Sequence, residues 1–321
     1  MPQKTNADLI IIGAGAAGLT AAQYGARANL SVLVLEQLSP GGQALLINEL
    51  ENYPGITPGK TGFDFAEDMR RQAESFGAKI VNKSAERLEK QGDVFAVTLA
   101  SSAAGGEKLF AHAVILATGS YPRKLGLNGE KEFYGRGVSY CASCDGPFFK
   151  NKKIFVVGGG DAACDEAQFL SRLSDQVILV HRREKLRAQK ALAERVMRNP
   201  NIHVRFNTVM KEIKGAEGRV TSVVIETNGE VSEEKTDAVF IFVGTSAQTS
   251  LVSESGGLKA DLDENGYIIT DQNMAASVPG LFAAGDVRTT PFRQVVTAAA
   301  DGAVAAHSAA LYIDSLRGEA Y

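Results

Sequence analysis

Residues 8–18 read Asp-Leu-Ile-Ile-Ile-Gly-Ala-Gly-Ala-Ala-Gly, a short apolar run that leads directly into three closely spaced glycines. The run predicts a buried strand over 8–12, and the alanine-rich sequence after the glycines predicts a helix over about 19–28. A second apolar run, 31–35, predicts another strand, which ends at Glu36. Strand, glycine turn, helix and strand in this order form a βαβ unit with parallel strands.

The three glycines have distinct physical roles in such a turn. Gly13 allows the tight turn, Gly15 lets backbone amides approach a pyrophosphate, and Gly18 lets the helix pack closely against the strand. The positive N-terminus of the helix then points at the phosphates. Glu36 lies where a carboxylate can accept hydrogen bonds from ribose hydroxyls. The pattern therefore predicts a dinucleotide site.

The same unit recurs in the second half of the chain. Residues 153–157 predict a strand, Gly158 and Gly160 follow it, and a helix and a second strand are predicted over 161–173 and 176–180. The third glycine of the motif is replaced by alanine, which the motif tolerates. Two such units in register are much stronger evidence for nucleotide binding than one glycine-rich turn, which also occurs for packing alone.

The two units differ in the residues that follow their second strand. In the first unit a glutamate stands 23 positions after the first glycine, and in the second His181 occupies the equivalent position, followed by Arg182 and Arg183. A carboxylate suits a free ribose 2′-hydroxyl, whereas an arginine cluster suits a 2′-phosphate. Arg187, one turn further on, can join this cluster. The second site is therefore predicted to prefer NADPH to NADH. For His181 the sequence leaves packing against an adenine and a simple surface role both open.

Two strands that end in small residues mark where one domain enters and leaves another. They lie at 114–119 and 238–244. We therefore predict a discontinuous first domain, residues 1–117 and 246–321, and an inserted second domain, residues 118–245. The predicted fold class is α/β, with two Rossmann-like dinucleotide-binding domains of the three-layer ββα type.

The C-terminal part of the first domain carries a further strand that ends in a Gly-Asp pair, Gly285-Asp286. The aspartate can bond a ribityl hydroxyl. A helix is predicted to begin near Gln294, and its start can face a phosphate or a flavin carbonyl.

Between the two glycine motifs lies Cys141-Ala-Ser-Cys144-Asp145-Gly146. Two cysteines at this spacing can close a small reducible disulfide. A zinc site made of cysteines needs a second pair, and only Cys164 remains. A structural disulfide across so short a loop would stabilise little, so we interpret the pair as redox-active. Asp145 is either a turn residue or a group that handles protons. We expect Cys164, inside the helix after the second motif, to be a buried small side chain.

Composition narrows the classes of function. The chain has 321 residues and a net charge of −3, without a long basic run, so a nucleic-acid partner has no electrostatic support. The apolar run 9–12 is too short for a signal-peptide core, and no stretch is long enough to span a bilayer. Three cysteines, one of them unpaired by spacing, fit a reducing cytoplasm.

Further motifs stand in order over nearly the full length of the chain. They are Gly13–Gly18, Gly41-Gly42-Gln43, Glu51–Gly55, Gly135–Gly146, Gly158–Ala167, His181-Arg182-Arg183-x-x-x-Arg187, Ala284–Val287 and Arg293-Gln294. In this combination the chain resembles the low-molecular-weight, bacterial-type thioredoxin reductases.

The resemblance implies that FAD is the cofactor of the first domain and NADPH that of the second. The residues that it assigns to FAD are Gly13, Gly15, Gly18, Glu36, Gly42, Gln43, Asn52, Gly285, Asp286, Arg293, Gln294 and Val295. Those assigned to NADPH are Gly158, Gly160, Asp161, Ala162, His181, Arg182, Arg183 and Arg187.

The resemblance also implies a thioredoxin-disulfide reductase. Hydride would pass from NADPH to FAD, and electrons then to the Cys141–Cys144 disulfide and on to oxidised thioredoxin by thiol–disulfide exchange. Cys144 would lie nearest the flavin, Cys141 would exchange with thioredoxin, and Asp145 would be the acid near them. Such proteins work as homodimers, and their NADPH domain rotates against the FAD domain.

Two departures from the family pattern and two alternative functions remain at this point. Ala247-Gln248-Thr249 stands where the family commonly has Pro-Asn-Thr, and Pro147 precedes the aromatic pair after the cysteines, which bears on partner docking. One alternative is the flavoprotein component of a peroxide-reducing system, which usually carries an extra N-terminal redox domain. The other is an NADPH-sensing regulatory protein, which the intact cysteine pair argues against.

Overall fold

Buried apolar runs that lead into glycines form the central strands of two parallel sheets. The computed structural model describes residues 5–47, 49–100, 106–253 and 257–318. The chain divides into two compact units, one that runs to Tyr121 and resumes at Ser246, and one that comprises Pro122–Thr245.

The strands follow one another along the chain as β1 (Leu9–Ile12), β2 (Val32–Glu36), β3 (Lys79–Asn82), β4 (Ala85–Gln91), β5 (Val94–Leu99), β6 (Lys108–Ala111), β7 (Ala113–Leu116), β8 (Ser120–Pro122), β9 (Val138–Ser139), β10 (Ile154–Gly158), β11 (Val177–Val180), β12 (Ile202–Arg205), β13 (Thr208–Ala216), β14 (Arg219–Thr227), β15 (Glu230–Lys235), β16 (Ala238–Phe242), β17 (Thr245–Ala247) and β18 (Leu281–Ala283). The α-helices are α1 (Ala16–Arg27), α2 (Gly62–Ser75), α3 (Ala142–Asp145), α4 (Asp161–Leu170), α5 (Lys190–Arg198) and α6 (Val295–Arg317). Short 3₁₀ helices cover Gly42–Leu46, Gly146–Phe149, Ser250–Val252 and Gly285–Val287.

The first unit is built of three layers. Its parallel sheet has the strand order β18-β7-β1-β2-β3, and β4, β5 and β6 form an antiparallel sheet. Leu9 and Ile11 pack into a core shared with α1 and α6, whereas Ile10 and Ile12 pack into a core shared with β4 and β5. Successive side chains of a strand point to opposite faces, so a strand covered on both sides is apolar throughout.

Helices α1 and α6 approach each other closely because both are rich in small residues. A Cβ atom added to Gly302 in α6 would lie 2.1 Å from the carbonyl oxygen of Ala17 in α1. Helix α1 begins at Ala16, three residues before the predicted start, because the last three residues of the glycine motif already form its first turn.

The second unit repeats this arrangement. Its parallel sheet has the order β12-β11-β10-β16-β9, and β13, β14 and β15 form an antiparallel sheet. Ile154 and Val156 pack toward α4, whereas Phe155 and Val157 pack toward β13 and β14. The two three-layer units confirm the predicted α/β class with two Rossmann-like domains.

The chain segments that link the two units are tied to each other. Strands β8 and β17 pair as a two-stranded sheet. The hydroxyl of Thr118 donates to the carbonyl of Gln248 at 2.7 Å, and Nε2 of Gln248 donates to the carbonyl of Thr118 at 2.7 Å. Among the helices that the structure describes, none is both long and apolar enough to cross a bilayer.

Candidate active site and nucleotide sites

The first glycine motif separates into two glycines that the fold needs and one that leaves space. A Cβ atom on Gly13, which has φ +103°, would lie 2.3 Å from the carbonyl oxygen of Ala117, and one on Gly18 would lie 1.9 Å from that of Gly13. Gly15 has an extended backbone, and its nearest neighbour would be the Cα atom of Gly42 at 4.0 Å. Gly15 is also the N-cap of α1 and supplies no side-chain cap. The first amides of α1 thus face open space that suits a phosphate.

The second motif has the same design. A Cβ atom on Gly158 would lie 2.4 Å from the carbonyl oxygen of Phe242, whereas one on Gly160 would meet no atom within 4 Å. Gly160 is the N-cap of α4, again without a side-chain cap. Ala163 replaces the third glycine and is completely buried. This helix start also fits a phosphate.

Glu36 lies at the end of β2, with its carboxylate fixed by the backbone. Its Oε2 accepts the N–H of Ala14 at 2.7 Å, and its Oε1 accepts that of Leu38 at 2.8 Å. Beside it opens a cavity of about 310 Å³, which is also lined by Pro40 and Val81. A carboxylate next to a cavity at the first helix start fits a ribose and its base.

Three further residues assigned to the flavin, Gln43, Asn52 and Gly42, each contact a different part of the first unit. The amide of Gln43 donates to the carbonyl of Ser120 at 2.8 Å. The amide of Asn52 donates to Oε1 of Gln294 at 2.8 Å, although 242 positions separate the two residues. Gly42 begins a 3₁₀ helix beside Gly15.

The Gly285-Asp286 turn is held by residues that sequence analysis missed. Asp301 accepts the N–H of Gly285 at 3.1 Å and forms an ion pair with Arg288 at 3.1 Å. Burial raises the pKa of Asp286, and the nearby Arg293 opposes this effect. Asp301 lies in α6, seven residues after its N-cap Gln294. Nothing in the sequence pairs this aspartate with Gly285.

Arg293 carries a polar atom that the fold buries without a partner. Its Nε atom has no hydrogen-bond partner among the described residues, and its guanidinium lies 4.0 Å from the ring centroid of Tyr267. Next to it, Gln294 caps α6 through a reciprocal capping box with Thr297, and Val295 is the first residue of the helix. A buried donor beside a helix start fits a polar ligand.

The charged cluster after β11 combines one buried residue with three exposed ones. His181 is 4% exposed and packs on Gly159, where an added Cβ atom would lie 2.2 Å from its Nδ1. Burial, together with Arg187 and Arg183, lowers the pKa of His181. Its Nε2 atom lacks a hydrogen-bond partner in the described part of the chain. Sequence analysis left packing on an adenine or a surface role open, and this structure shows packing on the glycine turn.

The arginines of this cluster are available to an anion. Arg182, Arg183 and Arg187 are exposed, and none of them has an acidic partner within the described ranges. The backbone N–H of Arg187 donates to the carbonyl of Gly159 at 2.6 Å, which ties the cluster to the second glycine turn. At the start of α4, Asp161 accepts the N–H and the side-chain amide of Gln189 at 2.7 and 3.0 Å. Its carboxylate is thereby engaged, and Ala162 beside it is exposed.

Cys141 and Cys144 form a disulfide at the start of α3, with 5.4 Å between their Cα atoms. Cys141 is the N-cap of this helical turn, and its Sγ atom accepts the N–H of Cys144 at 3.2 Å. Cys144 is exposed and Cys141 half-buried. Ala142 between them is completely buried in the core of the second unit. The disulfide is thus presented at the surface by a turn that the core anchors.

The residues around the disulfide fix its turn. Asp145 is half-buried, and its backbone N–H donates to the carbonyl of Cys141 at 3.2 Å. Gly146 is needed for space, because a Cβ atom there would lie 3.0 Å from the side chain of Leu170 in α4. Cys164, also in α4, is completely buried, which confirms the prediction, and burial raises its thiol pKa to about 12.

Comparisons with known proteins give a consistent result. The family model for pyridine nucleotide-disulphide oxidoreductases matches residues 7–302. A thioredoxin reductase of Treponema pallidum (strain Nichols) is 53% identical over 316 residues, which cover 98% of this chain and 99% of the relative. One of Peptoclostridium litorale is 44% identical, with 97% and 98% covered. The chain belongs to the thioredoxin reductase family.

Solved structures agree with this membership. The thioredoxin reductase of Lactococcus lactis matches with a TM-score of 0.91 and 40% identity, over 97% of this chain and 100% of that one. That of T. acidophilum matches with a TM-score of 0.88 and 35% identity, over 97% and 99%. The protein is therefore an oxidoreductase of a flavin- and pyridine nucleotide-binding family. The open starts of α1 and α4 and the unpartnered Nε atom of Arg293 fit such ligands.

Proposed function

We propose that this protein is an NADPH-dependent thioredoxin-disulfide reductase that carries FAD. The observation that carries the proposal is the surface disulfide Cys141–Cys144, placed in a unit that also holds a glycine turn and an arginine cluster. Family membership makes thioredoxin the natural disulfide substrate. A purely regulatory nucleotide sensor would not need the cysteine pair, and that pair is intact here.

We propose that the first domain, residues 1–117 and 246–321, holds FAD. The open start of α1 would take the pyrophosphate and Glu36 the ribose. Asp286, Arg293 and the start of α6 would face the remainder of the cofactor. Burial raises the pKa of Asp286, and its carboxyl group would accept hydrogen bonds from hydroxyl groups of the cofactor.

The second domain, residues 118–245, would hold NADPH. The start of α4 at Gly160 would take the pyrophosphate, and Arg182, Arg183 and Arg187 would bind the 2′-phosphate. When bound, the nicotinamide and the flavin would supply the hydride transfer that protein side chains cannot perform.

The chain's own chemistry is thiol–disulfide exchange. Two electrons and two protons convert the disulfide into two thiols. The Cys141 thiolate then attacks one sulfur of the substrate disulfide, whose S–S bond breaks, and a mixed disulfide forms. Cys144 attacks the Cys141 sulfur and releases the second substrate thiol. The N–H of Cys144, 3.2 Å from Sγ of Cys141, stabilises the attacking thiolate, and the carboxylate of Asp145 can accept the proton of Cys144.

A serine at the second cysteine tests this assignment. We expect Cys144→Ser to keep its flavin absorption and to bleach with NADPH, yet not to recover its colour when oxidised thioredoxin is added. Wild type should recover within the assay, and so should Cys164→Ala, which removes the buried thiol. If Cys144→Ser lost its flavin or still reduced thioredoxin at the wild-type rate, the proposal would fail.

The arginine cluster gives a second test. Loss of charge-assisted hydrogen bonds in Arg182→Ala with Arg183→Ala should raise the KM for NADPH by roughly tenfold to a hundredfold, with little change for NADH. Arg198→Ala, an exposed arginine of α5 in the same unit, is the matched control. Equal effects on both nucleotides would contradict the 2′-phosphate assignment.

We further propose that the protein works as a homodimer in the cytoplasm. Family resemblance supports the dimer, and a reducible surface disulfide with so few cysteines supports a reducing compartment. Light scattering of the purified protein tests the dimer directly, because a mass near 34.0 kDa would mean a monomer.

A further inference from the structure

Glu130 is a carboxylate that the second unit buries, with only 3% of its surface exposed. Its Oε1 accepts the N–H of Leu125 at 2.9 Å, and its Oε2 accepts those of Gly126 at 2.6 Å and Leu127 at 3.2 Å. No lysine, arginine or histidine pairs with it in the described part of the chain. A buried charge is tolerated only where hydrogen bonds replace its hydration. Burial acts to raise the pKa of Glu130, but a hydrogen bond from the hydroxyl of Tyr140 and these three backbone bonds together hold it below its usual value.

The fourth hydrogen bond of this carboxylate comes from the residue before the first cysteine. The hydroxyl of Tyr140 donates to Oε1 of Glu130 at 2.6 Å. Tyr140 is half-buried, and its ring packs against the core between the two sheets of the second unit. Hydrogen bonds to a charged, buried acceptor are among the stronger ones in proteins. Tyr140 is therefore held at both its ring and its hydroxyl.

The backbone of Cys141 is also held by Ser139, the residue before Tyr140. Ser139 is 3% exposed, and its hydroxyl accepts the N–H of Cys141 at 3.0 Å and donates to the carbonyl of Cys141 at 3.1 Å. Ser139 itself belongs to β9, which pairs with β16. The two residues before Cys141 are thus fixed to the sheet and to Glu130, and Cys141 has little freedom to move relative to the N–H of Cys144.

We propose that Glu130 and Tyr140 are positioning residues for the redox-active turn, which hold the Cys141 sulfur where it receives the N–H of Cys144. This inference rests on the proposed function for its purpose, since it concerns the thiol that would attack the substrate. Neither residue touches the sulfur. They act through the backbone of Cys141, and the hydrogen bond to sulfur gains most when the disulfide is reduced, because a thiolate accepts more strongly than a disulfide sulfur.

The test measures the reactivity of Cys141 without using turnover. In a Cys144→Ser background, reduced chemically and carrying its flavin, Cys141 is the accessible thiol, and buried Cys164 serves as an unmodified reference. We expect Tyr140→Phe to slow the alkylation of Cys141 by iodoacetamide at pH 7 by roughly tenfold. In the intact pair, equilibrated with glutathione, the dithiol should become less stable by a similar factor, which moves the midpoint potential by about 30 mV to more negative values.

Matched variants separate positioning from other effects. Tyr134→Phe removes the hydroxyl of the neighbouring tyrosine, whose ring centroid lies 5.7 Å from that of Tyr140 and which is 64% exposed, and it should change neither measurement. Glu130→Gln should act in the same direction as Tyr140→Phe, because a neutral amide oxygen accepts the Tyr140 hydroxyl more weakly than a carboxylate does and an amide nitrogen cannot accept the N–H groups of Gly126 and Leu127. The two effects on Cys141 should be less than additive in the double variant, because both substitutions act on the bond from Tyr140.

Two results would overturn the inference. One is a Tyr140→Phe variant that folds and reacts like Tyr134→Phe. The other is a Glu130→Gln variant that alkylates faster than wild type, which would mean that the charge of Glu130 acts on the thiol directly. Flavin reduction by NADPH, followed by stopped-flow absorbance, should stay unchanged in Tyr140→Phe. If NADPH failed to reduce the flavin of wild type as well, the proposed function would be contradicted, whereas the alkylation result would still stand.

Discussion

Single residues divide the glycine motifs into positions that shape the fold and positions that leave room for a ligand. Gly13 and Gly18 lie against backbone carbonyls, at distances that no side chain can occupy. Gly15 and Gly160 have extended backbones and open surroundings. The third position differs between the two motifs. The second unit accommodates Ala163 there, whereas the first unit requires Gly18.

This division predicts opposite outcomes for two alanine substitutions. Gly18→Ala places a methyl group 1.9 Å from the carbonyl oxygen of Gly13 and should lower the stability of the apoprotein by about 3 kcal/mol. Gly15→Ala should leave apoprotein stability within about 0.5 kcal/mol and yet abolish flavin binding, since its methyl group occupies the phosphate space. Urea unfolding of the apoproteins and flavin content after reconstitution measure the two effects. Equal destabilisation by both substitutions would refute the division.

At the scale of elements, helix α4 serves two purposes. Its N-terminus lies at the second glycine turn, and its inner face packs on the sheet and on the turn that carries the disulfide through the residues Ala163, Cys164, Ala167 and Leu170. Glu166 lies on the same helix, and burial, assisted by the neighbouring Asp165, raises the pKa of Glu166 to about 7. A carboxyl group that is costly to ionise therefore lies in the helix that contacts both the proposed nucleotide site and the disulfide turn.

Glu166 should make stability depend on pH. Its folded pKa exceeds its unfolded value of 4.5, so the folded state binds more protons between about pH 4.5 and 7, and stability falls as the pH rises through this window. Glu166→Gln removes this loss and should be more stable than wild type by about 1–3 kcal/mol at pH 8. Near pH 4.5 the two proteins should be similar. Thermal unfolding from pH 4.5 to 8.5 measures the difference, with Asp175→Asn, an exposed carboxylate of the same unit, as control.

On the scale of the whole molecule, one unit is inserted into another, and each has its own cores. Among the residues that the structure describes, two apolar clusters lie within the first unit and two within the second. The ends of the second unit meet, because the N–H of Arg123 donates to the carbonyl of Gly244 at 2.8 Å. The N–H of Gln248 likewise donates to the carbonyl of Gly119 at 3.0 Å in the first unit. Close chain ends allow insertion with little strain.

The second unit should therefore fold alone. Residues 122–245 expressed by themselves should unfold cooperatively and bind NADPH, because their cores and the start of α4 are complete within the segment. Circular dichroism and calorimetric titration measure folding and binding. Arg182→Ala in the same segment should fold equally well and bind NADPH more weakly. A segment without a cooperative transition would show that its stability depends on the rest of the chain.

Sequence analysis predicted those parts of the protein whose physics is local. The strand, glycine turn and helix of both units follow from contiguous residues, and so does the disulfide turn. The burial of Cys164 was predicted from its place inside the helix after the second motif. The ends of helices follow less directly from local residues, and α4 ends at Leu170, three residues before its predicted end. The roles of Cys141, Cys144 and Asp145, the individual cofactor contacts and the domain limits remain predictions.

What the sequence determined by itself is the pair of nucleotide-binding units, the redox-active spacing and the family, because each depends on residue types at fixed short separations. Only the tertiary structure decided which distant residues meet. Asn52 reaches Gln294, His181 lies on Gly159, and Glu130 holds Tyr140 beside Cys141. These contacts depend on the path of the chain between the partners and on which polar groups the core shields from water. The spacing of neighbouring residues determines neither.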